Sequence, residues 1–347
     1  MKVVAIMELK PGMILGEDVV HHGKVIYPAG TKLDEVIIAK LNRYSVMCVS
    51  VKENIDLATT HHEKLRYNND FRLFELQYTT ALQNYKLLMQ KFFTTGTKID
   101  DNALLSIYYD LNAKISSGAV LLDYLYNMTP SEDEVTYTHC LTSALLAGTI
   151  ADWLTMNEES RKTMILCGFY YDIGKLLLPP NLLWKPDKLT PEELAVVKMH
   201  PEMGYDLVKN LNLNQHVKNS VIMHHERLDG SGYPYHLSGG SVDKYARYMA
   251  IVDAYIAMAA PRSYRPAFTP LRILANFEEN MSKYDTELLI PVMKRIADAQ
   301  IGTLVRLTDD TEWEVLIIRP DKFSRPLLRN DKNEILDLME HSELTLK

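Results

Sequence analysis

The sequence predicts a mainly α-helical protein in which an all-helical metal-binding domain lies between small β-rich segments at the N- and C-terminal ends. Three observations support this class. Glycine and proline are nearly absent from residues 55–128, where apolar residues recur at steps of three and four. Helical segments that carry histidine and aspartate follow in residues 130–300. Both ends of the chain instead alternate short apolar runs with turn residues, which is typical of short strands.

The composition is that of an ordinary globular protein. The 347 residues are 47% hydrophobic and 24% charged, which disfavours disorder and fibrous repeats. The formal net charge of −7 argues against a broadly basic surface, so we expect no DNA partner, although a local cationic pocket for a phosphate-bearing ligand is compatible with it. The 3 cysteines lack C-x-x-C spacing, and no uncharged apolar stretch reaches about 18 residues. We therefore expect a cytoplasmic protein without membrane contact.

Turn residues divide the first part of the chain into two predicted segments. Residues 1–54 are expected to form a small β-rich unit with one helix near Leu33–Tyr44. Residues 55–129 are expected to form a helical linker or regulatory region with a turn at Thr94–Thr97. Apolar residues of this region such as Leu104 would suit a homodimer if they are exposed, and the alternative is ordinary packing within one chain.

The second part of the chain contains two further predicted segments. Residues 130–300 are expected to form the metal-binding helical domain, in which Thr190-Pro191-Glu192 has the composition of a helix start. Residues 301–347 are expected to form a short-stranded C-terminal appendage. Its predicted strands are Leu304–Leu307, Trp313–Ile318 and Ile335–Leu338.

Three candidate ligands are ambiguous when each is taken alone. His139 is followed by an apolar helix and alone predicts a core histidine. Asp172 lies in the stretch Tyr171–Lys175 after another apolar helix, and this stretch is equally compatible with a helix C-cap. His200 precedes Pro201 and alone predicts a structural residue.

The region after residue 220 contains less ambiguous residues. His224 and His225 are adjacent near a predicted helix end, and both turn toward one site only if that site uses the exposed terminus. The loop Asp229–Pro234 contains two glycines and can bring backbone amides close to an anion. Asp253 lies within the apolar helix Tyr248–Ala260, where an isolated carboxylate is costly unless it pairs or binds a cation.

Taken together, these residues form a set of imidazole and carboxylate ligands on separate helices. The set is His139, Asp172, His200, His224, His225 and Asp253. Such mixed ligands suit iron, manganese or zinc, and a carboxylate such as Asp172 can bridge two ions. Two metal ions would activate a water and neutralise a phosphate, which predicts phosphodiester hydrolysis.

The order of these motifs resembles that of the HD-GYP domains, a branch of the HD phosphohydrolase superfamily. The resemblance spans about residues 130–300. The matching stretches are Tyr171–Lys175, Lys185-Pro186 with Leu189–Glu193, His200–Gly204, and His224–Pro234.

The resemblance implies an all-helical HD-type domain that holds two metal ions. Iron or manganese would be the metal, with zinc and nickel as alternatives. The first ion would be bound by His139, Asp172 and Asp253. The second ion would be bound by Asp172, His200, His224 and His225.

The resemblance also implies a reaction and its substrate. The activity would be hydrolysis of cyclic di-GMP, or a related cyclic dinucleotide, to pGpG or GMP by a metal-bound hydroxide. Asp172 and Lys175 would be the catalytic residues, with Lys175 in contact with a phosphate. Substrate contacts would also come from Gly232, Tyr233, Pro234, Arg262 and Arg265. Diguanylate cyclase domains would be protein partners.

Three positions depart from the family pattern. Tyr171 replaces the histidine of the HD pair, and because a phenol binds a metal only when deprotonated, it is either an unusual ligand or no ligand. Ile256 replaces a frequent second acid, so we expect Lys175 to lack a carboxylate that orients it. Val135 replaces a glutamate of members with a third ion, and we expect no third metal. Two hypotheses follow: a working phosphodiesterase, or a degenerate member that binds cyclic di-GMP or a protein without turnover.

Overall fold

The computed structural model describes most of the chain, which divides into two compact units. The described residues are 2–21, 24–44, 46, 48–52, 65, 68–128, 134–183, 185, 188–260 and 267–346. The first unit is Met1–Asn69 and the second is Asp70–Lys347. The finer division into four segments stays a prediction.

The first unit is a small β structure with one helix, as the sequence predicts. Its strands are β1 (Lys2–Ala5), β2 (Ile14–Leu15), β3 (Val19–His21), β4 (Lys24–Tyr27) and β5 (Cys48–Lys52). The antiparallel order is β1-β5-β2, and β3 pairs with β4. Helix α1 (Glu35–Arg43) begins where the Asp34 side chain accepts a hydrogen bond from the Ile37 amide at 2.7 Å. Leu15, Leu33 and Leu41 are fully buried in the core of the first unit.

The second unit begins with three helices in the region that the periodicity assigns to helix. They are α2 (Asn69–Thr95), α3 (Asp101–Asn112) and α4 (Gly118–Asn127). Helix α2 ends at the predicted turn, because Gly96 adopts a φ of 65°, which favours glycine. The helical prediction is confirmed for these residues.

The centre of the second unit is a helix that packs against several other helices. Helix α5 (Val135–Trp153) is buried along nearly its whole length, as expected for a helix surrounded by others. Helix α6 (Glu158–Tyr170) packs against it, and a short 3₁₀ turn follows at Ile173–Leu177. Next come α7 (Pro180–Leu183), α8 (Pro191–Val197), α9 (His200–Val208), α10 (Gln215–Met223), α11 (Lys244–Ala259), α12 (Pro270–Glu279) and α13 (Thr286–Asp298).

The C-terminal segment is a four-stranded antiparallel meander. Its strands are β6 (Leu304–Arg306), β7 (Glu312–Ile317), β8 (Leu327–Arg329) and β9 (Ile335–Asp337), hydrogen-bonded in that order. The sequence predicts β6, β7 and β9 but misses β8, because its apolar run is only two residues long after Pro326. The mainly α class with small β-rich ends is confirmed. Among the described residues, every helix is too short or too polar to cross a lipid bilayer.

Candidate metal centre

The structure brings the six predicted ligands together from five different places in the fold. His139 lies near the start of α5, and Asp172 directly follows α6. His200 begins α9, while Asp253 lies within α11. His224 and His225 directly follow α10, which is the exposed-terminus arrangement that adjacent histidines require. Their ligand atoms form two groups, His139 with Asp172 and Asp253, and His200 with His224 and His225, in each of which the atoms lie within 4.8 Å of one another.

Close backbone packing allows Asp172 and His200 to meet. A β-carbon placed on Gly174 would overlap the carbonyl oxygen of His200, so only glycine permits this approach of the 3₁₀ turn to α9. Gly204, one turn after His200, packs against the same turn. As a result, Nε2 of His200 lies 3.1 Å from Oδ1 of Asp172.

The hydrogen bonds of His200 and His224 determine which ring nitrogens are free. Nδ1 of His200 lies 2.6 Å from the carbonyl oxygen of Val197. Nδ1 of His224 lies 3.0 Å from the carbonyl oxygen of Val221. Because a carbonyl can only accept, each Nδ1 carries a proton, and the lowered pKa of His224 leaves its Nε2 with a lone pair. The two Nε2 atoms are 3.2 Å apart, and two lone pairs at this distance would repel, so the contact requires a proton on Nε2 of His200 or a metal cation between or beside the rings.

Asp172 lies between the two groups as an ionised, fully buried carboxylate. Burial opposes its ionisation, but the Lys175 ammonium and the His200 imidazole outweigh that effect and hold the pKa of the carboxyl well below its usual range. Nζ of Lys175 lies 2.6 Å from Oδ2, yet neither oxygen has a hydrogen-bond partner of good geometry among the described residues. Oδ2 lies 3.7 Å from Nε2 of His139. A charged carboxylate with free lone pairs is suited to bridge two cations.

Asp253 completes the first group. Its Oδ1 lies 2.9 Å from Nε2 of His139, and its Oδ2 lies 3.8 Å from Nδ1 of His225. Burial works against ionisation of Asp253, but the hydrogen bond with His139 and the nearby His225 hold its pKa well below the usual value. Burial lowers the pKa of His225, and burial together with His200 lowers the pKa of His224 to about 3. Neutral imidazoles and ionised carboxylates are the forms that bind divalent metals, so this donor set fits such ions.

Tyr171 contacts the first group through its hydroxyl. The hydroxyl oxygen lies 2.9 Å from Oγ of Ser143 and 3.4 Å from Oδ1 of Asp253. Burial, and then the charge of Asp253, raise the pKa of this phenol well above its usual value. Without a bound metal the phenol is therefore protonated and can donate a hydrogen bond.

Lys175 does have a carboxylate neighbour. The substitution of Ile256 for an acid predicts that Lys175 lacks an orienting carboxylate, and that expectation is wrong, because Nζ contacts Asp172. Asp172 and Lys175 are three positions apart, at the tight turn that follows α6. The carboxylate partner of Lys175 therefore comes from the same turn.

The loop after α10 lies against the histidines. The ring of Tyr233 stacks on that of His225, with centroids 4.6 Å apart and an interplanar angle of 20°. The peptide bond between Tyr233 and Pro234 is cis. A β-carbon on Gly232 would overlap the backbone of residues 225–227, so this glycine is required for the loop to fold back. Arg262 and Arg265, the other predicted substrate contacts, lie outside the described residues.

Sequence reasoning missed Glu226 as a functional residue. Its buried carboxylate accepts hydrogen bonds from the amides of Tyr235 at 2.7 Å and Leu237 at 3.0 Å, which fixes the loop that carries Tyr233. The sequence feature that could have indicated this role is a charged residue directly after the two histidines and before a glycine-rich loop. Its partners are backbone amides, which leave no trace in the sequence.

The match to a known family agrees with this geometry. Residues 123–288 match the family described as HD domain. This part of the chain, somewhat less than half of its length, is similar to HD domains. The matched residues include the six candidate ligands, and this family binds divalent metals. The identity of the metal is not part of that match.

Known proteins that are similar to about half of this chain are named as phosphodiesterases. The chain is 30% identical over 178 residues to the cyclic di-GMP phosphodiesterase PA4108 of Pseudomonas aeruginosa, a match that covers 51% of this chain and 43% of the relative. It is 29% identical over 189 residues to the 3'3'-cGAMP-specific phosphodiesterase 1 of Vibrio cholerae, covering 54% of this chain and 43% of the relative. The chain thus spans less than half the length of these curated relatives.

A solved structure shares the fold around the HD domain. Bd1817, an HDG"Y"P protein from Bdellovibrio bacteriovorus, aligns with a TM-score of 0.51 and 16% sequence identity. The alignment covers 85% of this chain and 99% of that protein. At this identity the likeness concerns the fold alone.

Proposed function

We propose that the chain is a metal-dependent phosphodiesterase of the HD-GYP type that hydrolyses cyclic di-GMP to pGpG or GMP. The observation that carries the proposal is the convergence of the Nε2 atoms of His200 and His224 on the buried carboxylate of Asp172, because two imidazole nitrogens beside a carboxylate with free lone pairs form a donor set for a metal cation. The names of the relatives, which act on cyclic dinucleotides, support the substrate class.

Two ions would be held by residues that share Asp172. The first would be bound by His139, Asp172 and Asp253. The second would be bound by Asp172, His200, His224 and His225. Iron or manganese suits this mixture of imidazole and carboxylate, with zinc and nickel as alternatives. When bound, such ions supply a nucleophile at neutral pH and neutralise charge on the phosphate.

The chain's own residues prepare the site for a phosphate. Burial of Asp172 and His224 keeps bulk water away from the ligands, which strengthens electrostatic interactions there. Lys175 reaches the site from its edge, with 21% of its side chain exposed, so its ammonium is placed to contact a phosphate oxygen. We propose that Tyr171 is a neutral hydrogen-bonding group beside Asp253 rather than a ligand.

The loop supplies a surface for the rest of the substrate. Tyr233 is held against His225 and offers a flat ring beside the ligands, on which a nucleobase can stack. The ammonium of Lys198 lies 5.2 Å from the centroid of the same ring and adds a positive charge at this edge. A dianionic cyclic dinucleotide suits such a combination.

The test is to load purified protein anaerobically with Fe²⁺ or Mn²⁺, measure metal by mass spectrometry, and separate the products chromatographically. Cyclic di-GMP and 3'3'-cGAMP are supplied in parallel, because the relatives divide between them. We expect pGpG or GMP from the first substrate, and no product from the His200→Ala variant. His341→Ala, which removes a histidine of the C-terminal segment, is the matched control and should retain activity.

Two other outcomes would replace the proposal. Cleavage of 3'3'-cGAMP without cleavage of cyclic di-GMP would show that 3'3'-cGAMP is the substrate. Retention of cyclic di-GMP without product, by protein shown to contain metal, would establish the non-catalytic effector that the loss of an imidazole at position 171 predicts.

A further inference from the structure

Helix α2 carries no metal-binding motif and lies before the residues matched to the HD domain family, yet it contacts α5 and α6, two of the three helices from which the first group of ligands comes. Two tyrosines of its buried face make these contacts. The hydroxyl of Tyr85 donates to the carbonyl oxygen of Phe169 at 2.6 Å. The hydroxyl of Tyr78 lies 3.2 Å from the carbonyl oxygen of Thr138 and 2.8 Å from Oγ1 of Thr142.

The Tyr85 contact caps the helix that leads to Asp172. Phe169 lies in the last turn of α6, where carbonyl groups have no partner within the helix. The site is fully buried, so water cannot replace the hydroxyl. The Tyr85 ring also packs on Phe169 with centroids 5.2 Å apart. Asp172 follows Phe169 by three residues, so the orientation of this helix end sets the position of the carboxylate.

The Tyr78 contact acts on the neighbourhood of His139. Thr138 directly precedes His139 on α5, and the Thr142 hydroxyl donates to the same Thr138 carbonyl at 2.6 Å. Tyr78 therefore joins a buried hydrogen-bond network on the turn that presents His139. Burial raises the pKa of Tyr78 and of Tyr85, so both hydroxyls keep their protons and remain donors.

We propose that Tyr78 and Tyr85 of α2 are positioning residues for the metal centre, which set the relative placement of His139 and Asp172. The inference rests on the proposed function, because it takes His139 and Asp172 as metal ligands. It extends the centre to a helix outside the HD motifs, whose first residue, Asn69, is the last residue of the N-terminal unit.

The test uses the full chain and three single substitutions. Tyr85→Phe and Tyr78→Phe each remove only a hydroxyl. Tyr108→Phe is the matched control, because Tyr108 is also fully buried, and its hydroxyl accepts a hydrogen bond from Arg161 at 3.2 Å, away from the ligands. Metal affinity is measured by equilibrium dialysis against Mn²⁺, and the melting temperature of the metal-free protein is measured by calorimetry.

We expect both α2 variants to bind Mn²⁺ about tenfold more weakly, the size of effect typical of residues that orient metal ligands. Their melting temperatures should match that of Tyr108→Phe, whose Mn²⁺ affinity should equal that of the wild type. In turnover assays, kcat should fall while KM stays unchanged, since Tyr78 and Tyr85 contact helices that carry or lead to metal ligands. Backbone amides 173–175 should exchange faster in Tyr85→Phe than in the control.

The outcomes separate this inference from the proposed function. If the wild type hydrolyses no cyclic dinucleotide but the α2 variants bind Mn²⁺ more weakly than it does, the positioning role is supported and only the proposed activity is refuted. Wild-type affinity in both variants, or an equal loss in Tyr108→Phe, overturns the positioning role even if the wild type hydrolyses cyclic di-GMP. A wild-type chain that binds no metal overturns both.

Discussion

The Nε2 atoms of His200 and His224 lie 3.2 Å apart, and each ring donates its other N–H to a backbone carbonyl. The two Nε2 atoms thereby face each other beside the buried carboxylate of Asp172. Two lone pairs at this distance repel, and a metal cation bound beside them converts the repulsion into an attraction. We therefore expect metal binding and folding to be coupled in this chain.

The first prediction concerns thermal stability. Addition of Mn²⁺ or Fe²⁺ at 100 times its dissociation constant should stabilise the fold by about 2.7 kcal/mol and raise the melting temperature. Calorimetry with and without a chelator measures the shift. His200→Ala removes one of the facing lone pairs and should reduce the shift, whereas His341→Ala should leave it unchanged. Equal melting temperatures with and without every divalent metal tried would contradict the proposed centre.

A second prediction tests the role of Tyr171. The Tyr171→His variant restores an imidazole beside Asp253 and should raise both metal content and hydrolysis rate. Tyr171→Phe keeps the ring but lacks the hydroxyl that contacts Ser143 and Asp253, and its metal content should equal that of the wild type. Metal analysis of both variants decides whether the Tyr171 phenol is a metal ligand. A loss of metal in Tyr171→Phe would show that the phenol is a ligand after all.

The third prediction concerns the glycine that brings Asp172 to His200. Gly174→Ala places a methyl group on the His200 carbonyl, and overpacking of this kind typically costs about 1–3 kcal/mol. We expect the variant to lose metal as well as stability, measured by denaturation and metal analysis. Gly240→Ala is the control, because a β-carbon at Gly240 meets nothing within 4 Å. Wild-type metal content in Gly174→Ala would show that the close approach is not needed.

A fourth prediction concerns the buried Glu226. Glu226→Ala leaves the amides of Tyr235 and Leu237 without acceptors, at a cost of about 1–3 kcal/mol for each unsatisfied group. The loop that carries Tyr233 should loosen, so KM for cyclic di-GMP should rise several-fold while metal content stays constant. Glu202→Ala, at an exposed position of α9, should change neither quantity. An unchanged KM would show that this loop does not contact the substrate.

Much of the centre could be predicted because its chemistry depends on residue type. Asp253 stands out within an apolar helix, where burial of a carboxylate is costly without a cation, and the residues at positions 139, 172, 200, 224 and 225 complete a set of imidazole and carboxylate ligands. The contact between Lys175 and Asp172 was not predicted, because the expected partner of Lys175 lay on another helix. The strand Leu327–Arg329 was also missed, since it is held by pairing with its neighbours rather than by its own composition.

The sequence by itself determined the helical class, the β-rich ends and the identity of the candidate ligands, because periodicity and residue chemistry are local properties of the chain. Only the tertiary structure decided which nitrogen of His200 and His224 faces a backbone carbonyl, and that Glu226, Tyr78 and Tyr85 form hydrogen bonds with backbone groups near the ligands. Those features depend on hydrogen bonds to backbone atoms of distant segments. Every residue carries the same backbone groups, so such partners become visible only when the chain has folded.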